Sequence, residues 1–189
     1  MRPHNARILA AINRNFAEAN DAILKLTAHD SLHRAGFNPT GVSFLAIADQ
    51  ALFNDMIAGA IRIFDEHKEA GSLWYIIRCH EAVAHAAARS CGIDMDEMRT
   101  IVPKLRHVRD KTHFHIDKRN VENPALVWSH ADISIDEFTK ALRNAAVLLA
   151  KIKQDIYGGK MDVLTPYEGS DVRRMVDAFA ASTEARPET

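Results

Sequence analysis

Apolar positions recur along most of this chain at helical spacing, about 100° per residue. From Pro3 to about His29, Ile8, Ile12, Phe16, Ile23 and Leu26 fall close to one face, with Asp21 and Lys25 opposite. Gly36 and Pro39 then mark a loop. From Thr40 to about Lys68, Leu45, Ala48, Leu52, Met56 and Ile63 make a stripe that Phe44, Ile47, Ile57, Ile61 and Phe64 broaden. A helix apolar on most of its circumference is expected at the centre of a bundle. A third helix is predicted from about Ser72 to Arg89. Leu73, Ile76, Ile77, Val83, Ala87 and His80 face inward there, and Arg78, Glu81, His85 and Arg89 form an outer charged row.

Asp94 with Glu97 three residues on reads as a capping box opening a fourth helix, which Pro103 should kink or restart. Its apolar stripe is Met98, Ile101, Leu105, Val108 and Thr112. Periodicity is lost from Arg119 to Ile133, which reads as a loop with Glu122-Asn123-Pro124 as a turn. Within it, Trp128 is expected to pack into the bundle rather than stack a base. Ser134 and Glu137 form a second capping box, with Ile133 and Phe138 as a hydrophobic staple. The helix they open carries Phe138, Leu142, Ala145, Leu149, Ile152 and Ile156 and stops at Gly158-Gly159. A short amphipathic helix follows near Asp171–Ala181, then a disordered tail from Thr183. The fold class is therefore all-α: a bundle of about five main helices over residues 1–157, with a helical appendage over 158–189.

Composition narrows the chemistry. Low aromatic content (7%), eight Gly and six Pro suit helices, and a pI near 6.8 excludes a general nucleic-acid coat. Cys79 and Cys91 lack CxxC spacing. No cleavage signature and no apolar run of membrane length is recognised, so the cytoplasm is the expected compartment and no membrane contact is expected. Metal chemistry finds no support in this reading. His29-Asp30 lacks the further ligands of an HD-type phosphohydrolase, and His80-Glu81…His85 is one residue too long for a zincin site. No Glu-x-x-His occurs, and no correctly spaced His pair is recognised. Neither metal nor cofactor is expected.

Charge concentrates in one stretch, KLRHVRDKTHFHIDKRN, Lys104 to Asn120. It holds six Lys/Arg and three His against two Asp, in a chain whose formal charge is -1. On a straight helix Arg109 and His115 lie on opposite edges of the apolar stripe, roughly 120° apart, and meet only if the helix unwinds or a second copy faces it. Arg106–Asp110 and His113–Asp117 are i,i+4 pairs on another face. Lys104, His107, Lys111 and Lys118 form a third, a row suited either to a phosphate backbone or to plain solvation.

The string Arg109-Asp110-Lys111-Thr112-His113-Phe114-His115-Ile116-Asp117-Lys118 resembles the Arg-x(4–6)-His motif of the HEPN superfamily, and most closely its abortive-infection U branch. Ile61-Arg62-Ile63-Phe64-Asp65 with Leu73 resembles the same branch, so the likeness spans roughly Ile61 to Ile156. The resemblance implies a helical, usually homodimeric HEPN bundle. It also implies a metal-independent endoribonuclease in phage defence or a toxin–antitoxin system, with RNA as substrate and an antitoxin or other protein as partner. It assigns His115 to proton transfer, Arg109 to the phosphate and Asp110 to orienting either. His113 competes with His115 as the motif histidine. Asp117 stands where many HEPN toxins carry a modifiable Tyr, so that control has no support. Two other readings remain: a non-catalytic HEPN module binding RNA, a nucleotide or a protein, and a plain helical scaffold.

Overall fold

A computed structural model describes residues 3–35, 44–113, 125–159 and 167–184. Among these residues every element is helical, without strands. The order is α1 (Pro3–Arg34), α2 (Phe44–Phe64), α3 (Leu73–Cys79), α4 (Glu81–Ser90), α5 (Met95–Arg99) and α6 (Ile101–Val108). A π-helical turn (Arg109–His113) continues α6, and α7 (Ala125–Ala131), α8 (Ile135–Tyr157) and α9 (Ser170–Glu184) follow. The chain is thus an all-α helical bundle.

Helix α1 lies between α2 and α8 and packs most extensively on both. Ile8, Ile12, Phe16, Ile23 and Leu26 are all buried, as their spacing requires. Small residues, Ala19 and Ala22 of α1 with Gly59 and Ala60 of α2, let the two helices approach closely. Charge brackets this seam. Lys25 of α1 bonds both Asp21 and Asp55, and its hydrogen bond holds the Asp55 carboxyl below the ordinary range. Farther along, Arg62 reaches Glu18 at 2.7 Å.

Several elements depart from the sequence pattern. Helix α1 runs past His29 to Arg34 because Leu32 joins a second small core with Leu45, Val172 and Val176, which seats α9 against α1 and α2. Gly169 at the start of α9 has φ +66, and a Cβ there would come within 2.0 Å of Ser31 Oγ, so this docking requires glycine. Helix α9 continues through Thr183 and Glu184, which the pattern assigned to a tail. Only the C-terminal half of α2 is central. Phe44 and Ile47 are 78% and 59% exposed. By length and composition α2 could also cross a membrane, contrary to the expectation that no run reaches that length.

The expected third helix breaks at His80 (φ -137°, ψ 46°), whose N–H donates to the carbonyls of Ile76 and Ile77. Helix α3 packs on α1 and α4 on α8, so the bend follows the change of partner. Helix α7 occupies part of the expected loop, burying Val127 and Ala131. Trp128 does pack inward, its ring 4.8 Å from that of Phe53. Both expected N-caps are formed: Asp94 accepts from the N–H groups of Asp96 and Glu97, and Ser134 from that of Glu137. Gly158 ends α8 at φ +69.

The C-terminal end of α2 is fixed by two bonds across the turn to α3. Trp74 Nε1 donates to the Phe64 carbonyl at 3.1 Å, and Ser72 Oγ to that of Asp65. Trp74→Phe keeps most of the volume and leaves that buried carbonyl unpaired. Chemical denaturation should therefore show a loss of about 1–3 kcal/mol. An unchanged midpoint would mean that the bond contributes nothing.

Candidate functional site

The segment after α2 brings its polar residues onto α5 and α6. Asp65 turns the chain by accepting the His67 N–H at 2.9 Å. Glu66 then reaches two guanidinium groups, Arg99 at 2.6 Å and Arg106 at 3.0 Å. Arg99 also lies over the Trp74 ring, 5.2 Å from its centroid. Helices α5 and α6 meet at Thr100, and Pro103 sits in the first turn of α6, where a missing N–H leaves no intrahelical bond unmade. Pro103 therefore restarts the helix instead of kinking it.

Arg109 is the residue at which the straight helix ends. The backbone widens there into a π-turn through His113, so the regular step of one straight helix is lost within the motif. The Arg109 side chain is 30% exposed, and its Nε donates to Asp110 Oδ1 at 2.8 Å. The expected Arg106–Asp110 pair is replaced: Arg106 turns to Glu66 and Asp110 to Arg109. Arg109, Arg106, Asp65, Glu66 and Ile61 line one notch of about 20 Å³. That is room for about one water and not for a base.

The remaining candidates are distributed unevenly. Lys104 points away from this notch, donating to the Asp132 carbonyl at 2.6 Å and to Glu137 at 2.7 Å. It thereby clamps α6 to the start of α8. His107 is half-buried, and its Nε2 is buried with no hydrogen-bond partner among the described residues. Lys111 is half-buried on the π-turn and engaged in an interaction. His115 and Lys118 lie outside the described residues, as does the side chain of His113. His80, expected to bond a backbone group, has its Nε2 buried without a partner among the described residues.

A second cluster was missed by the sequence reading. His29 and His33 stand at i,i+4 on α1, contrary to the expectation that the chain holds no correctly spaced His pair. Asp49 of α2, 9% exposed, joins them. His29 Nδ1 lies 2.7 Å and His33 Nε2 3.3 Å from Asp49 Oδ1. The signal was present in the i,i+4 spacing, but Asp49 comes from a different helix and no local pattern joins it to the pair.

No family model, curated protein or solved structure gives a significant match to this chain.

Because Lys104 is shared between a carbonyl and a carboxylate, its replacement should cost stability even without nucleic acid. A double-mutant cycle of Lys104→Met with Glu137→Gln should give a coupling of about 0.5–1 kcal/mol in urea unfolding. Zero coupling would show that the Lys104–Glu137 pair contributes nothing to the fold.

Proposed function

We propose that this chain is a HEPN-like, metal-independent endoribonuclease of the abortive-infection U type, acting in phage defence or a toxin–antitoxin system. One observation carries the reading. The two stretches that resemble this branch are some forty residues apart in sequence, yet Ile61, Phe64 and Asp65 of the first and Arg109 of the second line the same notch. A π-turn beginning at the motif arginine adds support, since such turns often mark functional positions.

In the proposed reaction the ribose 2′-oxygen attacks the adjacent phosphorus and the P–O5′ bond breaks. The products are a 2′,3′-cyclic phosphate and a free 5′-hydroxyl. His115 takes the proton of the 2′-hydroxyl or delivers one to the departing O5′, as an imidazole with a pKa near 6.5 can do either. Arg109 binds the phosphate oxygens and offsets the charge that grows on them. Asp110, already bonded to Arg109 Nε, sets the direction of the guanidinium. Lys111 and His107 border this end of α6, and Lys118 would extend the same basic row.

A second reading, a non-catalytic HEPN module that binds RNA, a nucleotide or a protein, draws on a different observation. Arg109 and Lys104 are both engaged by carboxylates, and the notch holds about one water. One experiment separates the two readings. Single-stranded RNA incubated in EDTA should be cut to 2′,3′-cyclic phosphate ends, while DNA of the same sequence stays intact. Arg109→Ala and His115→Ala should each lower the rate by about 10²–10⁴ without unfolding the protein. His113→Ala should have little effect, and a large loss would reassign the proton-transfer role to His113. RNA binding without cleavage, weakened in Lys111→Ala, would favour the module. Neither binding nor cleavage would leave a scaffold.

The small notch is half of a site in this proposal, completed by a second copy across a two-fold axis with the two motif helices facing. Light scattering at roughly tens of micromolar, a concentration that populates a dimer of micromolar Kd, should give twice the monomer mass of 21.1 kDa. A monomer at that concentration would count against the composite site.

A further inference from the structure

We propose that His29, His33 and Asp49 bind one divalent transition-metal ion of the zinc class, with three protein ligands and a fourth position open to water. The inference is independent of the ribonuclease reading. Asp49 to Phe64 is fifteen residues of α2, or roughly 22 Å at 1.5 Å per residue. The site therefore lies far from Arg109 and takes no part in chemistry there.

The geometry is close to what such an ion needs. One donor atom from each residue lies within 4.8 Å of the other two. Metal–ligand bonds of about 2.0–2.1 Å in a tetrahedron put ligand atoms about 3.3 Å apart. His33 Nε2 and Asp49 Oδ1 are already at 3.3 Å, and His29 Nδ1 must retreat by only about 0.6 Å from its 2.7 Å contact. The remaining edge, at most 4.8 Å, closes by a small rotation of the His33 ring, whose side chain is 46% exposed. Two histidines one turn apart on a helix place their rings on one side, which is why this spacing recurs in helical metal sites. The two rings are already 4.5 Å apart.

Chemistry selects the ion. Two imidazole nitrogens and one carboxylate oxygen suit the first-row transition ions zinc, iron(II), nickel or copper, whereas magnesium and calcium favour all-oxygen sets of six or more ligands. Burial sharpens the case. The Asp49 side chain is 13% exposed and that of His29 14%, so the carboxylate charge is held mostly out of water. The Phe53 ring lies 5.5 Å from that of His29 and Trp128 packs behind it, giving the site an apolar wall on its inner side. Solvent reaches it past His33, which sets the place of the fourth ligand. An ion here joins the last turns of α1 to the start of α2, next to the small core of Leu32, Leu45, Val172 and Val176 that holds α9.

The test is calorimetric titration of the full chain, stripped with chelator and dialysed, with Zn²⁺ and separately with Mg²⁺. Zinc should bind at one equivalent and raise the unfolding temperature, and magnesium should do neither. His33→Ala and Asp49→Asn should each weaken zinc binding by more than the roughly 10–100-fold that loss of a supporting partner costs. His67→Ala, at an exposed histidine on the loop after α2, should not. His33→Ala removes a half-exposed side chain and should melt near the metal-free wild type, so its lost zinc response reads binding rather than misfolding. A protein whose unfolding temperature ignores zinc would identify the cluster as a hydrogen-bond network alone and overturn the proposal. So would zinc affinity unchanged in both variants, which would assign the ion to other histidines.

Discussion

The C-terminal half of α2 must be buried, and most of the molecule follows from that requirement. Met56, Ile57, Ala60, Ile63 and Phe64 are almost wholly out of water, in contact with the core that α1, α3, α6 and α8 share. Burying a helix end strands its last carbonyls unless donors are supplied, a cost of about 1–3 kcal/mol for each group left unpaired. Trp74 meets that demand at Phe64, and its ring then supports Arg99. Arg99 and Arg106 together hold Glu66, which fixes the end of α2 against the motif helix. Thus the position of Arg109 is set by the packing of a helix forty-five residues earlier in the chain.

The two ends of α2 carry different chemistry on one rigid rod. At its C-terminal end the notch gathers guanidinium and carboxylate groups at the surface of α6. Its N-terminal half contributes Asp49 to two histidines of α1. Neither end is a large cavity, and in the first case this bears on function. A surface notch for about one water can take a phosphate oxygen only when another surface supplies the rest of the site. A second copy of the chain meets that need in the reading proposed above.

Much of the fold was legible wherever a long, unbroken stripe faced the common core. Ile8, Ile12, Phe16 and Leu26 of α1, and Phe138, Leu142, Leu149 and Ile152 of α8, are buried as their spacing indicated. The N-caps at Asp94 and Ser134 were legible because capping is local. Legibility failed where tertiary partners change. The break at His80 answers a switch from α1 to α8, and nothing in the preceding periodicity marks it. Helix α7 is seven residues long, too short to repeat a stripe, and it is secured by Val127, Ala131 and the Trp128 ring on Phe53. In the candidate site, Arg109 and Asp110 could be singled out from the motif. The diversion of Arg106 to Glu66 and of Lys104 to Glu137 could not, since both acids come from distant segments.

The central claim is that Arg109 and a motif histidine from two copies converge on one phosphate. The most direct measurement is a crystal structure of the protein with an RNA whose 2′-hydroxyl at the cut site is replaced by hydrogen, so that it binds uncleaved. The account predicts a two-fold dimer with the Arg109 guanidinium and the His115 ring both within about 2.6–3.2 Å of the oxygens at a single phosphate. RNA bound elsewhere, or Arg109 still held by Asp110 with no phosphate near it, would contradict the account.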